Sequence, residues 1–321
     1  MTSKTQTSLA IFMFILVLLG NTVIFSIVPA LSVPDLLEVR GAFSAFFGFT
    51  PTGQTLHAFQ ILFCYSAIAT LCMLPWAIRQ GRKGLTTHRW KHYSMRAGLE
   101  YVAYMLTLTS LGYLGGEFTL PMHTALNFIT PLLATVVTIF VLREKSYTHT
   151  WISLAVGFLG VLLITRPGFI PASPGVLYVL GAALCFSFCG VVIKLLCSTE
   201  SPMKIAFFML VMTTILAAPL GLAKWQAPTP ENWFWLALIG LLTYAVQVLV
   251  GKAISKVPYM VIIPLNFVQL VFSTILGYFI FTQVVDRWTM IGAVVILGGT
   301  IYNSQRTRVH AEREAAIAST M

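Results

Sequence analysis

Two stretches of the 321-residue chain share a beginning and a register: LNFITPLLATVVTIF at residues 126–140 and LNFVQLVFSTILGYF at residues 265–279. At a constant offset of 139 residues, nine of the 35 positions from 126 to 160 are identical to their counterparts. The identities continue past the first apolar run into the next one, so apolar composition alone does not explain them. The sequence therefore predicts an internal structural repeat.

The composition around these stretches is that of a membrane protein. Hydrophobic residues make up 57% of the chain and charged residues only 9%, whereas about a quarter of the residues in a soluble domain are charged. A helix that crosses a bilayer needs about 20 apolar residues, and lipid offers no partner to a free backbone polar group, so each long apolar run predicts a helix. Ten runs qualify, at residues 9–29, 57–78, 92–113, 119–142, 149–165, 175–196, 204–223, 232–251, 257–282 and 288–303.

The repeat divides these ten helices into two units of five, at residues 1–165 and 175–303. Because five is odd, the second unit enters the membrane from the opposite side, which predicts an all-α integral membrane fold of two inverted five-helix repeats. Both chain ends then lie on one side, and sixteen of the 20 Lys and Arg residues fall there. The positive-inside rule makes that side the cytoplasm. Residues 31–55 then form an external loop, and residues 304–321 a cytoplasmic polar tail.

Glu100 is the one carboxylate that these boundaries place well inside a span. Arg96 and Tyr104 lie one helical turn before and after it on the same face, and Tyr101 borders that face. A charge at this depth is costly, so it usually faces a cavity or a partner. Two interpretations remain open: a carboxylate that binds a cationic group or exchanges a proton, and an Arg96–Glu100 ion pair that anchors the inner end of the helix.

The fourth and ninth spans carry most of the other candidate binding residues. Each has polar or small side chains at helical spacing, a pattern that serves either helix packing or a water-filled passage. For Asn127 and its repeat mate Asn266 we favour the passage, because an amide both donates and accepts hydrogen bonds. His123 is either a hydrogen-bonded structural histidine or a proton-coupling group. The candidate set is completed by Thr130, Gln247 and Gln269.

Two further patterns concern the backbone. Prolines in the fourth and ninth spans, Pro264 among them, free carbonyl groups and offer hinge points. Small residues in the fifth and tenth spans predict close helix packing within the chain or the contact surface of a homodimer. These residues are Ser153, Gly157, Gly160, Gly292, Gly298 and Gly299.

Several function classes are disfavoured. The formal charge is +10, but no polar surface is large enough to form a basic groove, so no nucleic-acid partner is expected. The five cysteines show no metal-ligand spacing, and no nucleotide-hydrolysing motif is present, so neither a cofactor nor a metal is expected. Transport would then be coupled to a gradient, such as that of protons, or to a counter-substrate. An integral-membrane enzyme is the alternative to a transporter. Glu100, however, has no acidic partner at helical spacing with which to form a catalytic centre.

The ten-span repeated pattern resembles the EamA branch of the drug/metabolite transporter superfamily over nearly the whole chain. The stretches that carry the resemblance are TALNFITPLLATVVTIFVLREK at 124–145 and WISLAVGFLGVLLITRPG at 151–168. The second copy departs from this pattern, because Leu270 stands where Pro131 does and Gln283 where Glu144 does. The resemblance implies a secondary transporter of a small molecule that works within the lipid bilayer by alternating access.

A second pair of stretches, HAFQILFCYSAIATLCMLPWAIRQG at 57–81 and RAGLEYVAYMLTLTSLGYL at 96–114, is similar to the members of that family that take up S-adenosylmethionine in intracellular bacteria. This similarity implies passage of an S-adenosylmethionine-, nucleoside- or amino-acid-like metabolite across a bacterial inner membrane. Export of amino acids or drugs remains the alternative, because the same family includes exporters.

Overall fold

The computed structural model of the protein describes residues 3–32, 54–114, 129–143, 147–165 and 174–281, and beyond them 287–288, 290–292, 294–299, 301–302, 305–306 and 309. Throughout these residues the regular secondary structure is helical. The helices are α1 (Ser3–Ser32), α2 (Ala58–Leu85), α3 (Trp90–Leu114), α4 (Ile129–Leu142), α5 (Thr148–Thr165), α6 (Pro174–Cys197), α7 (Pro202–Ala223), α8 (Pro230–Lys256), α9 (Tyr259–Ile262), a 3-10 helix (Ile263–Phe267), α10 (Val268–Phe281) and α11 (Met290–Gly299).

Every predicted span coincides with at least one of these helices. In the described part of the chain, α1, α2, α6, α7 and α8 are long and apolar enough to cross a membrane, and α4 and α11 are shorter apolar helices. The all-α membrane fold is therefore confirmed. Helices α1, α2 and α8 extend several residues beyond the predicted runs. Residues 119–128 of the fourth predicted span, and most of the predicted loop and tail, lie outside the described residues.

The ninth predicted span is not one continuous helix. Pro258 precedes α9, and Pro264 lies in the first turn of the 3-10 helix that separates α9 from α10. A proline lacks the amide proton that a continuous helix needs, so the hydrogen-bond ladder is interrupted at this point. The side-chain amide of Asn266 donates to the carbonyl of Ile263 at 2.9 Å, which pairs a backbone group close to the interruption.

The two halves of the chain interlock. Helix α3 packs on α6 and α1 packs on α8, while α2 packs on α7. The helices α4 and α10 begin and end at positions that the 139-residue offset relates. The repeat matches α1 with α6, α2 with α7 and α3 with α8. Under this matching the α3–α6 contact is equivalent to the α1–α8 contact, and the α2–α7 contact is equivalent to itself. The packing therefore follows the two-fold relation that inverted repeats require.

Helices α5 and α11 meet through small residues. Ser153 Oγ donates to the carbonyl of Gly299 at 2.8 Å. A Cβ atom on Gly160 would lie 2.9 Å from the carbonyl oxygen of Gly292 and 2.6 Å from a side-chain carbon of Ile296. The offset exchanges these two contacts, since it relates Ser153 to Gly292 and Gly160 to Gly299. Close packing within the chain is thus one use of these residues, and the homodimer remains a prediction.

Candidate functional site

Glu100 lies between side chains from both halves of the protein. Its Oε2 atom is 3.2 Å from Nη1 of Arg96, one turn earlier on α3. Its Oε1 atom accepts a hydrogen bond of 3.3 Å from Nε2 of Gln247 on α8. Arg96 is 5% and Glu100 6% exposed, so the ion pair is nearly closed to the surroundings. The structure therefore joins two sequence candidates, Glu100 and Gln247, across the interface of the halves.

This contact lies well inside the helices. Helix α3 begins at Trp90 and α8 ends at Lys256. Glu100 and Gln247 are therefore each about 14 Å along their helices from that end, at a rise of about 1.5 Å per residue. We call this end of the molecule the basic side, because Lys194, Lys204 and Lys256 also lie there. The Arg96–Glu100 ion pair is present as one of the two interpretations expected, and a role of its carboxylate in substrate binding stays a prediction.

Aromatic side chains lie near this centre, beginning with Tyr104, one helical turn after Glu100 on α3. The Tyr104 ring meets that of Phe186 on α6 edge-on, with centroids 5.6 Å apart. Tyr65 on α2 is buried, and Tyr65 and Tyr104 lie within electrostatic range of each other and of Glu100. Tyr101, the other predicted tyrosine, is half-buried on α3. Sequence reasoning missed Tyr65 and Phe186, because each lies in an apolar run with no polar periodicity to mark it.

Several buried polar atoms around this centre have no hydrogen-bond partner among the described residues. They include Nε of Arg96, Oγ1 of Thr107 on α3 and Oγ1 of Thr243 on α8. Thr107 lies two turns after Glu100, and Thr243 lies one turn before Gln247, so both helices carry this spare capacity near the pair. Buried polar groups are normally paired, and such exceptions mark places where a ligand or water can bind.

The remaining candidates lie elsewhere or outside the described residues. Thr130 on α4 is half-buried, and its carbonyl accepts a 3.0 Å hydrogen bond from Ser187 Oγ on α6. Asn266 and Gln269 are half-buried in the broken ninth span. In the described part of the chain, no hydrogen bond joins either of them to Glu100. His123 and Asn127 lie outside the described residues.

The charged centre is not duplicated by the repeat. The offset of 139 places Trp235 and Ile239 of α8 at the positions of Arg96 and Glu100 of α3. Both side chains are buried and belong to the apolar core. The two halves therefore share a backbone arrangement, while the ion pair belongs to the first half.

A second cluster, which we call the ionic latch, joins the halves at the basic side. Glu200, between α6 and α7, accepts a 2.6 Å hydrogen bond from Thr87 Oγ1 and lies 2.7 Å from the ammonium of Lys204. The same ammonium donates to the carbonyl of Thr86 in the α2–α3 connection. Burial acts to raise the pKa of Glu200, but the hydrogen bonds from Lys204 and Thr87 and the positive charges of Lys204 and Arg89 outweigh it, so this pKa is lowered.

A third cluster, which we call the amide latch, joins the halves at the opposite side. Gln60 Nε2 donates to the carbonyl of Gln226 at 2.6 Å, and the amide nitrogen of Gln226 donates to Gln60 Oε1 at 3.0 Å. Asn232 Nδ2 donates to Gln54 Oε1 at 3.2 Å. The ionic latch joins the α2–α3 connection to the α6–α7 connection. The two-fold relation matches the first of these with the α7–α8 connection and the second with the α1–α2 connection, and the amide latch joins that matched pair. The two latches are therefore equivalent in position but different in chemistry.

Inverted helical repeats around a buried polar centre are an arrangement found in many membrane transporters. The sequence model of the EamA-like transporter family matches this chain twice, at residues 41–166 and 173–305. The chain belongs to the EamA-like transporter family and is a multi-pass membrane protein that transports a small molecule.

Relatives of established function are similar over most of their length. The S-adenosylmethionine uptake transporter of Rickettsia prowazekii is 27% identical over 252 residues, which are 78% of this chain and 84% of the relative. The riboflavin transporter of Vibrio cholerae is 27% identical over 255 residues, with the same two coverages. The pseudopaline exporter of Pseudomonas aeruginosa is 26% identical over 246 residues, 76% of this chain and 84% of the exporter. Their names point to transport rather than to catalysis.

A solved crystal structure has the same fold. Its TM-score is 0.71 at 14% sequence identity, and the match covers 94% of this chain and 99% of that one. The likeness supports the fold and carries no information on the substrate.

Proposed function

We propose that this protein is a secondary transporter that imports S-adenosylmethionine or a closely related metabolite across the bacterial inner membrane by alternating access. Its working units are residues 1–165 and 175–303, and both chain ends lie in the cytoplasm. The observation that carries the proposal is the buried carboxylate of Glu100, which is held between Arg96 of one half and Gln247 of the other.

The chemistry around Glu100 fits such a substrate. S-adenosylmethionine has a sulfonium, an ammonium, a carboxylate and an adenine ring, and its net charge is +1. The carboxylate of Glu100 offers a counter-charge, and the rings of Tyr65, Tyr104 and Phe186 offer faces for a ligand cation and for a flat heterocycle. Gln247 supplies an amide that donates and accepts. The relatives that take up S-adenosylmethionine give independent support for this substrate class.

Import of a net cation needs no ion partner. A single charge that moves through 100 mV gains about 2.3 kcal/mol, which sustains a roughly fifty-fold concentration ratio. A bacterial membrane is negative inside, so this energy favours uptake over export. The absence of a nucleotide-hydrolysing motif from the sequence agrees with a gradient as the source of energy.

The test is uptake of radiolabelled S-adenosylmethionine into proteoliposomes that hold a potassium diffusion potential. We expect uptake to rise when the interior is negative and to fall when the potential is collapsed. Glu100→Gln should lower uptake about tenfold or more, because a hydrogen bond to a charged group contributes about 1.5–3 kcal/mol. Lys91→Gln is the matched control, since it removes an exposed charge from the same helix.

Two results would contradict the proposal. One is uptake of riboflavin, a larger heterocycle without a cationic group, with no uptake of S-adenosylmethionine. The other is normal uptake of S-adenosylmethionine by Glu100→Gln.

A further inference from the structure

The Arg96–Glu100 pair is poorly arranged for the stability of its own helix. Pairs four residues apart stabilise a helix better when the acidic residue comes first, and here the arginine comes first. Both side chains are buried, and a buried ion pair is often replaceable by apolar residues without loss of stability. Helix stability therefore gives no reason for charge at these two positions.

The pair also leaves hydrogen-bonding capacity unused. A strong arginine–carboxylate pair is bidentate, with two parallel hydrogen bonds of about 2.7–2.9 Å. Here a single bond of 3.2 Å joins Arg96 Nη1 to Glu100 Oε2, and Arg96 Nε has no partner among the described residues. Each oxygen of Glu100 is engaged by one donor, while a carboxylate oxygen can accept two. Both partners can therefore bind further groups.

We propose that Arg96 and Glu100 together bind the amino-acid end of the substrate, with the α-ammonium on Glu100 and the α-carboxylate on the free Nε edge of Arg96. This inference rests on the proposed function and narrows it, because it makes the amino-acid end the part of the substrate that determines specificity. Side chains one helical turn apart lie about 5–6 Å apart at Cβ, a spacing that suits two charged groups carried by one carbon atom.

Charge balance supports this arrangement. Without substrate the two side chains neutralise each other, and an amino-acid end adds one positive and one negative charge, so the buried centre stays neutral on binding. The sulfonium of S-adenosylmethionine then remains for the rings of Tyr104 and Phe186. An adenosyl compound without the amino-acid end would leave Arg96 and Glu100 only with each other.

The experiment measures displacement of radiolabelled S-adenosylmethionine from the full chain in lipid nanodiscs by three compounds. S-adenosylhomocysteine keeps the amino-acid end and lacks the sulfonium charge, decarboxylated S-adenosylmethionine lacks only the carboxylate, and methylthioadenosine lacks the whole amino-acid end. We expect the concentration of S-adenosylhomocysteine that displaces half of the label to lie within about tenfold of that of S-adenosylmethionine itself. The other two compounds should need concentrations at least about tenfold higher than S-adenosylhomocysteine.

Variants at Arg96 connect this preference to the residue. Arg96→Lys keeps the positive charge but loses the planar fork that binds a carboxylate in two places. It should weaken S-adenosylmethionine about tenfold and leave the decarboxylated compound unchanged, so the preference for the carboxylate disappears. A purely structural role of Arg96 would weaken both compounds equally. Lys91→Gln, on the same helix, should keep the preference of the parent protein.

The outcomes separate this inference from the function on which it rests. If S-adenosylmethionine binds and methylthioadenosine displaces it as well as S-adenosylhomocysteine does, the amino-acid end is not recognised and the inference is wrong, while the proposed function stands. Equal weakening of both compounds by Arg96→Lys would also overturn it. If the parent protein does not bind S-adenosylmethionine, the proposed function itself is wrong.

Discussion

Neutralising Glu200 in the ionic latch should open the basic side of the transporter. Glu200 is the centre of this latch, because Thr87 and Lys204 both bond its carboxylate and Lys204 also reaches the α2–α3 connection. Glu200→Gln keeps the size of the side chain and an oxygen for Thr87, but it removes the charge that holds Lys204. The connections of the two halves would then separate more easily at this side.

The magnitude follows from the burial of the pair. The side chains of Lys204 and Glu200 are 12% and 11% exposed, and their charged atoms are 2.7 Å apart. An exposed pair contributes about 0–1 kcal/mol, and a hydrogen bond to a charged group about 1.5–3 kcal/mol. A mostly shielded pair at this distance should contribute about 1–2 kcal/mol between these limits. The equilibrium between closed and open states at the basic side should therefore shift roughly 5- to 30-fold.

Cys197 is a native reporter of this opening. It ends α6, three residues before Glu200, and is partly buried, with its sulfur 3.7 Å from the carbonyl of Gly251. In a protein that keeps Cys197 as its only cysteine, a membrane-impermeant maleimide should label Glu200→Gln about 5 to 30 times faster than the parent. Lys252→Gln, which removes an exposed charge from α8, is the control. Equal labelling rates in Glu200→Gln and the parent would refute the latch.

The dependence on pH has a defined sign. The pKa of Glu200 is lowered in the closed state, so its ionised form is favoured there and the latch is at full strength above the ordinary value of 4.5. Its contribution is lost only as the pH falls below that value and through the lowered pKa. The labelling rate of Cys197, corrected for the reactivity of a free thiol, should therefore be flat around neutral pH. A marked change between mildly acidic and neutral pH would contradict this assignment.

Three further substitutions test other parts of the structure. Gln60→Leu removes the paired hydrogen bonds of the amide latch, about 1 kcal/mol each, so labelling of a cysteine placed beside it on the opposite side should rise several-fold, and unchanged labelling would argue against a latch there. Gly160→Leu drives a side chain against the carbonyl of Gly292 and should cost about 1–3 kcal/mol, read as a lower melting temperature, whereas an unchanged melting temperature would show that α5 and α11 can separate freely. Tyr104→Phe keeps the ring but removes the hydroxyl that we expect to bond the substrate, so substrate affinity should fall about 2- to 10-fold. An unaltered dissociation constant would remove the hydroxyl from the site.

The fold was predictable because its determinants are local. Each span is a continuous apolar run, and the offset between residues 126–140 and 265–279 already implied two units. Pro264 indicated a disturbance of the ninth span, although not that a 3-10 helix would separate α9 from α10. The observed ends of α1, α2 and α8 differ from the predicted ends because polar residues continue a helix beyond the apolar core of the membrane.

The site was predictable only where charge marked it. Glu100 was found because a carboxylate inside an apolar run is costly, and Gln247 because it is a polar residue in a long apolar helix. Neither residue indicates the other, since their contact depends on the packing of α3 and α8 from different halves. Tyr65, Phe186 and Glu200 were missed for the same reason. The contacts of Phe186 with Tyr104 and of Glu200 with Thr87 join residues that are far apart in the sequence. A single sequence without tertiary information does not reveal such pairs.

The ion pair occurs in only one of the two repeats, and this affects how a substrate would be transported across the membrane. The repeat gives the protein two copies of the scaffold, but in the second copy Trp235 and Ile239 occupy the places of Arg96 and Glu100. A substrate bound by both charges, as we propose, would stay with the first repeat throughout the transport cycle while the second repeat moves relative to it. The inward-facing and outward-facing states would then hold the substrate differently. A symmetric architecture is therefore compatible with unequal substrate affinities at the two membrane faces.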